Sequence, residues 1–318
     1  MHKALLEWFE KNGRHALPWR QTTNAYHIYL SEIMLQQTQV SRVQEHFYPL
    51  FLKHYPTIKD LANASLEDIL SHWSGLGYYN RARNLHKAAQ SLQKEFPKTK
   101  KELLKLAGIG EYTASAIASF AFNECVAVVD TNIKRVLQRL FNKEKLSSKE
   151  ALELANKFLN YKNPKKHNLA LMDLGAMICT AKEAKCELCP LEPFCKGKNE
   201  IEKFLSQAKQ KRVQKELHFA ISVDKNKIAL TPSSGSMYKN MLLLPTPKSK
   251  SKLLGSYKHN YTKYNLTIYL YNSSPKEQNL EWIECDNFLQ APIPTLIKKA
   301  HPFIKNYLSS KKMQEKRV

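Results

Sequence analysis

The 318-residue sequence contains no stretch that approaches the roughly 18 consecutive apolar residues of a membrane-spanning helix. Its opening residues, MHKALLEWFEKNGRH, lack the continuous apolar core and the cleavage site of a secretory signal peptide, and they resemble the start of an amphipathic helix. No internal repeat is visible. These absences predict a soluble, intracellular protein.

Acidic residues are scarce relative to basic ones. There are 28 Asp and Glu residues against 50 Lys and Arg residues, and the formal net charge is +22. Such an excess favours a polyanionic partner, and nucleic acid is the leading candidate because neutralising phosphates releases counterions. Charge alone does not decide this, since many Lys-rich proteins have other partners. The length allows two domains, each with its own core.

Only six cysteines are present, which argues against a disulfide framework in a reducing compartment. Four of them form the pattern Cys179-x6-Cys186-x2-Cys189-x5-Cys195. Thiolates this close would repel one another without a metal centre. Zinc and a [4Fe–4S] cluster both suit four cysteines, but zinc ribbons have two separated C-x2-C pairs, so the single pair here favours the cluster. The isolated Cys125 and Cys285 are expected to be small buried residues.

A tight turn with two glycines is predicted between two helices. Apolar residues at helical spacing lead to Gly108, which suits a left-handed helix end, and Gly110 precedes a second helix from about Tyr112. Backbone N–H groups in such a turn, beside a helix N-terminus, can bind a phosphate. The alternative is an ordinary helix corner whose glycines serve only the turn. Downstream, Asp130 precedes another helical pattern.

A carboxylate within an apolar helix and a basic, aromatic loop are two further candidates for function. Glu32 lies in an apolar helical pattern over 26–51, where a carboxylate is usually at the polar edge and only its spatial neighbours could make it an acid catalyst. Predicted helices at about 65–73 and 80–95 flank the segment SGLGYYNRAR. This basic, aromatic loop is suited to contact a nucleic-acid backbone and wedge a base step, or its tyrosines simply pack between helices.

The C-terminal part changes character. Beyond about residue 217, the runs HFAISV, KIALT, MLLLP and NLTIYLYN predict strands, followed by one helix over about 293–309. This part has no Gly- and Glu-rich box of the kind that Nudix hydrolases carry.

Together these features resemble a known family. The helix-hairpin-helix with its downstream Asp, followed by the cysteine pattern, resembles the DNA glycosylase superfamily that includes endonuclease III. Five strings narrow the resemblance to the MutY-type adenine DNA glycosylases: LPWR at 17–20, SEIMLQQTQV at 31–40, GLGYYNRARNLHKAA at 75–89, VVDTNIKRVL at 128–137 and MDLGAMICT at 172–180. The resemblance is dense over 1–200 and thin over 217–290.

The resemblance implies an α+β protein. Residues 1–200 would form the catalytic region, made of two all-α subdomains: a helix-hairpin-helix six-helix barrel at about 25–125, and a [4Fe–4S] cluster subdomain built from 1–24 and 126–200. Residues 201–216 would be a linker. Residues 217–318 would form a small C-terminal α/β, Nudix-like domain that recognises 8-oxoguanine.

The resemblance also implies a reaction, the removal of adenine mispaired with 8-oxoguanine or G in duplex DNA after the base is flipped out of the stack. Glu32 matches the general acid that protonates adenine at N7. Asp130 matches the carboxylate that stabilises the oxocarbenium-like sugar. At Tyr112, strand-cleaving relatives have a lysine that attacks the sugar. A tyrosine cannot form a Schiff base, so we expect a monofunctional glycosylase.

Other positions follow from the same matching. Leu17, Trp19 and Arg20 match the adenine pocket, Gln37 and Tyr78 match residues that enter the duplex, and Asn132 is assigned to substrate binding. The turn residues Gly108, Ile109 and Gly110 match the DNA-backbone contact, and the ligands of the cluster would be Cys179, Cys186, Cys189 and Cys195. The partner would be double-stranded DNA, and the protein a monomer in the cytoplasm, associated with the nucleoid.

The sequence departs from the family pattern in three places. Thr131 stands where many members have glycine, and Leu169 where a Gln or Glu would touch the adenine edge. The segment Tyr261-Thr262-Lys263 replaces a Phe-Ser-His loop that reads 8-oxoguanine. The alternatives are an endonuclease III-like glycosylase/lyase acting on oxidised pyrimidines, a non-catalytic iron–sulfur DNA-binding protein and a zinc-ribbon module.

Overall fold

A computed structural model describes residues 1–92, 96–204, 212–235, 237–239, 241–261 and 263–315. The chain forms two compact units. One comprises Met1–Asn63 and Asn84–Ala208, and the other comprises Ala64–Arg83 and Lys209–Val318. Residues 64–83 therefore group with the C-terminal part and not with the predicted hairpin subdomain. Among the described residues, no helix is long and apolar enough to cross a membrane.

The predicted linker, residues 201–216, is only partly described. Residues 205–211 lie outside the described residues. On either side of them, a 3-10 segment covers Lys198–Phe204 and the first strand begins at Val213.

Helices make up most of the first 178 residues. In chain order they are α1 (His2–Asn12), α2 (Ala25–Leu35), α3 (Val40–Arg42), α4 (Tyr48–His54), α5 (Ile58–Asn63), α6 (Leu66–His72), α7 (Asn80–Ser91), α8 (Lys100–Leu103), α9 (Glu111–Phe122), α10 (Thr131–Leu140), α11 (Ser148–Phe158) and α12 (Pro164–Met177). A π-helical turn over Val43–Phe47 joins α3 to α4, and a 3-10 turn covers Pro18–Arg20.

Helices α2 and α9 of the helical unit pack against each other. The side chain of Asn24 starts α2 by accepting hydrogen bonds from the N–H groups of Tyr26 and His27. Both helices are buried on nearly every side, including the polar residues Ser31, Glu32 and Ser115. The sequence period predicts a carboxylate at the polar edge of α2. The packing of the two helices instead removes the Glu32 carboxyl from water.

The predicted glycine turn lies between α8 and α9. Helix α8 ends at Leu103, five residues before the predicted end at Gly108, and a series of turns leads to Gly108. Gly108 has a φ of +74°, and a Cβ there would lie 2.5 Å from the Cβ of Asn84. Both the backbone conformation and the space therefore require glycine. Gly110 is extended and caps α9, and a Cβ on it would point into open space.

The C-terminal unit contains two small sheets. Its strands are β1 (Val213–Ile221), β2 (Val223–Asp224), β3 (Lys227–Pro232), β4 (Leu242–Leu243), β5 (Leu253–Tyr261), β6 (Tyr264–Asn272) and β7 (Glu281–Glu284). One sheet has the order β1-β6-β5, with β1 parallel and β5 antiparallel to β6. In the other sheet β3 pairs with β2, β4 and β7.

The structure confirms a helical region followed by a mixed-sheet domain. Strand β5 went unpredicted because its sequence, LLGSYKHNY, is largely polar and contains Gly255. The single helix predicted over about 293–309 is wrong, since α13 (Thr295–Lys298) and α14 (His301–Glu315) are separate. Pro302 has no N–H group and is tolerated only in the first turn of a helix, which makes it the start of a new one.

Candidate active site

The helical unit contains a cleft and an adjoining pocket. The cleft is lined by Glu32, Tyr112 and Asp130 together with Gln37 and Asn132. The pocket is lined by Leu17, Trp19 and Arg20. Glu32 lines both spaces, so a group seated in the pocket would meet this carboxyl on the side that faces the cleft.

Glu32 and Tyr112 form the centre of the site. The hydroxyl of Tyr112 donates a hydrogen bond of 2.7 Å to Oε2 of Glu32. Glu32 is buried, with only 5% of its surface exposed. Burial raises the pKa of Glu32 to about 7, the hydrogen bond from Tyr112 opposes that rise, and the charge of Asp130 adds to it. Burial also raises the pKa of Tyr112 well above its usual value. The phenol therefore remains a donor.

Asp130 is held differently. As the N-cap of α10 its Oδ1 accepts a 2.6 Å hydrogen bond from the N–H of Ile133, and its Oδ2 accepts one of 3.0 Å from the amide of Asn132. Burial still raises the pKa of Asp130 above its usual value, against the effect of these donors and of Arg135. Glu32 has one donor where Asp130 has several. Of the two carboxyls, Glu32 is thus the one suited to hold a proton.

Asn132 orients its neighbours. Its amide nitrogen binds Asp130, and its Oδ1 accepts a 2.8 Å hydrogen bond from Arg135. The close approach of Gly175, where a Cβ would lie 2.9 Å from the Cβ of Asn132, locks this side chain against α12.

Arg20 is fixed in the pocket by a residue to which the sequence assigned no role. Its two terminal nitrogens donate to the carboxylate of Asp173 at 2.6 and 2.8 Å. The backbone N–H and the Nε of Arg14 donate to the same carboxylate at 2.9 and 2.7 Å. Asp173 is completely buried. Its position within the string MDLGAMICT was the only available signal, because no local pattern pairs it with arginines more than 150 residues away.

Gln37 lies at the rim of the cleft in a strained conformation. It follows α2 with a φ of +54° and its side chain is exposed. A residue with a side chain enters this left-handed region rarely, and such strain concentrates at functional sites. The turn residues Gly108, Ile109 and Gly110 are outside the cleft lining, although the next two residues, Glu111 and Tyr112, belong to it.

Tyr78 belongs to the other unit. It too has a positive φ, +50°, and its ring lies 5.4 Å from the guanidinium of Arg81, which is also 5.3 Å from the ring of Trp73. The Nε1 of Trp73 donates to the carbonyl of Gly77 at 2.9 Å. The loop that presents Tyr78 is thus held in shape from within its own unit.

The same unit contains an aromatic group that the sequence did not reveal. The ring of Tyr238 lies 4.6 Å from that of Tyr261, and its hydroxyl is 3.2 Å from Nε2 of His259. Burial lowers the pKa of His259 to about 4, so the imidazole is neutral. Tyr261 ends β5 at the hairpin to β6, and of the segment Tyr261-Thr262-Lys263 only Thr262 lies outside the described residues.

The four clustered cysteines, Cys179, Cys186, Cys189 and Cys195, line one cavity. Within the described residues, no three His, Cys, Asp or Glu side chains are arranged to hold a metal ion, so the fit to a metal centre depends on the chemistry of the donors. The buried Arg139 supplies that chemistry. Its Nη1 lies 3.3 Å from Sγ of Cys179, while its Nε and Nη2 are buried without partners among the described residues. Unpaired buried cation donors beside four thiols suit an anionic iron–sulfur cluster.

The two remaining cysteines differ from one another. Cys285 is buried as predicted, whereas Cys125 is exposed, so its predicted burial is wrong. It follows α9 in the irregular segment before Asp130, where no helix face covers it.

Comparison with known proteins agrees with this geometry. Residues 30–160 match the family model described as HhH-GPD superfamily base excision DNA repair protein. An adenine DNA glycosylase from Buchnera aphidicola subsp. Schizaphis graminum is 33% identical over 323 residues, which cover 98% of this chain and 90% of that protein. A second, from the subspecies Baizongia pistaciae, is 43% identical over 204 residues, which cover 62% of this chain but only 58% of that protein.

Among solved structures, a thermostable thymine-DNA glycosylase is similar with a TM-score of 0.58 and 29% identity, over 62% of this chain and 94% of that one. The glycine hairpin, the buried carboxyl pair and this likeness define a base-excision glycosylase of the helix-hairpin-helix class. Within that class, the near-full-length match decides the branch. The chain belongs to the MutY-type adenine DNA glycosylases.

Proposed function

We propose that the protein removes adenine mispaired with 8-oxoguanine or G in duplex DNA, by flipping the base and hydrolysing its N-glycosidic bond with acid assistance. The observation that carries the proposal is the buried carboxyl of Glu32 at the junction of pocket and cleft, hydrogen-bonded to Tyr112 and electrostatically coupled to Asp130. Family membership supports the reaction class, and the excess of basic residues supports DNA as partner.

Glu32 is the general acid. A pKa of about 7 keeps a large fraction of this carboxyl protonated at neutral pH while leaving it acidic enough to transfer the proton. Within the described residues its Oε1 has no hydrogen-bond partner, whereas Oε2 is bound by Tyr112. The proton is therefore carried on the oxygen that can turn toward the base. Protonation at N7 makes adenine a neutral leaving group.

Asp130 stabilises the positive charge that develops on the sugar. Its carboxylate is fixed by the helix N–H of Ile133 and by Asn132, so it need not reorient as charge forms. A buried carboxylate interacts strongly with a cation because little water screens it. When the departing adenine leaves an oxocarbenium-like sugar, that interaction lowers the energy of the transition state.

The base pocket contributes shape and fixed charge. Leu17 and Trp19 supply apolar walls, and the ring of Trp19 packs edge-on against Tyr48 with centroids 5.4 Å apart. Arg20 is pre-oriented by Asp173, so binding a base does not have to order this long side chain.

Contacts with the duplex are assigned to exposed, strained residues and to backbone. Gln37 and Tyr78, both at positive φ, are suited to enter the base stack near the mispaired purine. The turn Gly108, Ile109 and Gly110 lies directly before α9. The N–H of Ile109 donates to the carbonyl of Leu106 at 3.2 Å, and the N–H groups of Gly108 and Gly110 are suited to bind a phosphate. The C-terminal unit would act as the Nudix-like domain that recognises 8-oxoguanine, with the half-buried Tyr261 and His259, both in contact with the buried Tyr238, facing the lesion.

Cys179, Cys186, Cys189 and Cys195 would hold a [4Fe–4S] cluster, which ties the loop together and places a compensating negative charge beside Arg139. The purified protein should be brown, with iron and inorganic sulfide in equal amounts. Cys189→Ser should lower both, and Cys125→Ser, at an exposed cysteine outside the set, should not. Zinc in place of iron would refute the assignment.

A single experiment tests the reaction. Single-turnover base release is measured from duplexes with A opposite 8-oxoguanine, A opposite G, and thymine glycol. We expect release of adenine from the first two, no enzyme-dependent strand nicking at neutral pH, and loss of activity in Asp130→Asn. Preference for thymine glycol, or full activity of Asp130→Asn, would overturn the proposal.

A further inference from the structure

The base pocket is lined by four charged side chains, and three of them are already engaged. Arg14 and Arg20 bind Asp173, and Glu32 accepts the hydrogen bond of Tyr112. The fourth is Lys165. Among the described residues, nothing forms an ion pair or hydrogen bond with its ammonium group.

Lys165 reaches the pocket from α12. Leu169 is one turn further along this helix and Met172 nearly two turns, so the three side chains form one stripe, and all three line the pocket. The lysine is half-buried and burial lowers its pKa below the usual value. Its donors are thus partly withdrawn from water without receiving an acceptor in exchange.

The position is also unfavourable for the helix itself. Lys165 is the second residue of α12, where the positive end of the helix dipole repels a cation. Its neighbour Lys166 is in the same turn but is exposed and forms an ion pair with Glu10. Lys165 has no such compensation within the described residues. A cation that opposes local electrostatics, loses solvent and faces a cavity is expected to serve a ligand.

We propose that Lys165 is a specificity-determining residue that donates a hydrogen bond to a ring nitrogen, N1 or N3, of the flipped adenine. The inference rests on the proposed function, because a purine must occupy the pocket. Leu169 provides no hydrogen bond to the base. N7 is reserved for the proton from Glu32, which leaves N1 and N3 as acceptors. A donor at N1 also rejects guanine, which carries a hydrogen there.

The test compares Lys165→Met with Lys166→Met. Methionine keeps an unbranched, apolar chain of similar length, and the second variant removes an equal charge from the adjacent exposed position. Affinity is measured for a duplex with 2′-fluoro-2′-deoxyadenosine, which resists cleavage, opposite 8-oxoguanine. Lys165→Met should weaken binding roughly 10- to 100-fold, the usual range for a hydrogen bond to a charged group. Lys166→Met should stay within about threefold.

The atom contacted is identified with base analogues. Single-turnover rates at subsaturating enzyme are compared for adenine, 1-deazaadenine and 3-deazaadenine. For each protein, the rate with an analogue is divided by the rate with adenine. For one of the two analogues, this ratio should be lower in the wild type than in Lys165→Met by at least about tenfold. Equal losses in both proteins for both analogues would overturn the proposal.

Two controls separate the possible failures. A duplex with a tetrahydrofuran abasic analogue has no base, so Lys165→Met must bind it as the wild type does. Equal weakening there would assign Lys165 to the backbone and overturn the proposal. Thermal unfolding of Lys165→Met should occur at a temperature no lower than that of the wild type, because the variant relieves the repulsion by the helix dipole. If the wild type and Lys166→Met both fail to release adenine, it is the proposed function that fails.

Discussion

The hydroxyl of Tyr112 and Oε2 of Glu32, 80 positions apart in sequence, are joined by a 2.7 Å hydrogen bond. The phenol donates to the carboxylate form and so stabilises it, while burial and the nearby Asp130 favour the protonated form. The outcome is a carboxyl that titrates near neutrality in a protein whose other acids are mostly exposed. This balance connects the pH dependence of the reaction to single side chains.

Base release should fall as pH rises through about 7. Glu32 acts in its protonated form, and its pKa of about 7 means that this form is lost above that pH. Single-turnover rates over a pH series measure this decline, the alkaline limb of the pH–rate profile. Glu32→Gln preserves shape but cannot transfer the proton, so activity should drop by about 10²- to 10⁴-fold. A Gln variant that retains the same alkaline limb would disprove the role.

Tyr112→Phe should move the alkaline limb to higher pH. It removes the hydrogen bond that lowers the pKa of Glu32, so the carboxyl should hold its proton further up the pH scale. The same pH series is the measurement. Tyr26→Phe is the matched control, because it deletes a buried 2.8 Å hydrogen bond to the carbonyl of Tyr55 in the same unit. It should lower stability without moving the limb, and an unmoved limb in Tyr112→Phe would contradict this account.

Asp173→Asn should destabilise the helical unit by about 3–5 kcal/mol in free energy of unfolding, because it leaves Arg14 and buried Arg20 without their charge partner. Urea unfolding at neutral pH measures the change. Glu10→Gln removes the partner of an exposed lysine and should have little effect.

The same carboxylate makes stability depend on pH. The hydrogen bonds and charges of Arg20 and Arg14 outweigh the burial of Asp173 and hold its pKa below the usual value. A depressed pKa contributes stability above the unfolded-state pKa and loses it as pH falls through the folded-state value. Asp173→Asn should lack this acid-side loss. An acid-side loss as large as that of the wild type would assign it to other carboxyls.

The two hairpin glycines should respond differently to alanine. Gly108→Ala should cost about 1–3 kcal/mol of stability, since φ is +74° and the Cβ of Asn84 is 2.5 Å from the added atom. Gly110→Ala meets no neighbour within 4 Å at an extended φ, so the fold should tolerate it. Its methyl group would instead occupy the space that a DNA phosphate approaches. Thermal unfolding and duplex affinity separate the two effects, and normal affinity in Gly110→Ala would argue against the phosphate contact.

Much of the fold could be predicted from local signals. The glycine turn, the N-cap at Asp130 and the strands with β-branched residues depend on residues within a few positions of one another, and each is present. Strand β5 was missed because its polar residues have no apolar period, and it exists through pairing with β6. The end of α8 was misplaced because Leu104 and Leu106 continue a helical period that the chain does not follow.

The sequence by itself determined the chemical groups available: two acids in their family strings, a tyrosine where strand-cleaving relatives have a lysine, and four cysteines at close spacing. Only the tertiary structure decided what those groups experience. Burial between α2 and α9 sets the pKa of Glu32, Asp173 fixes Arg20 from 153 positions away in sequence, and the turn of α12 brings Lys165 to the pocket. These are long-range effects of desolvation and charge. No sequence window contains them, because both depend on which atoms surround a group in space.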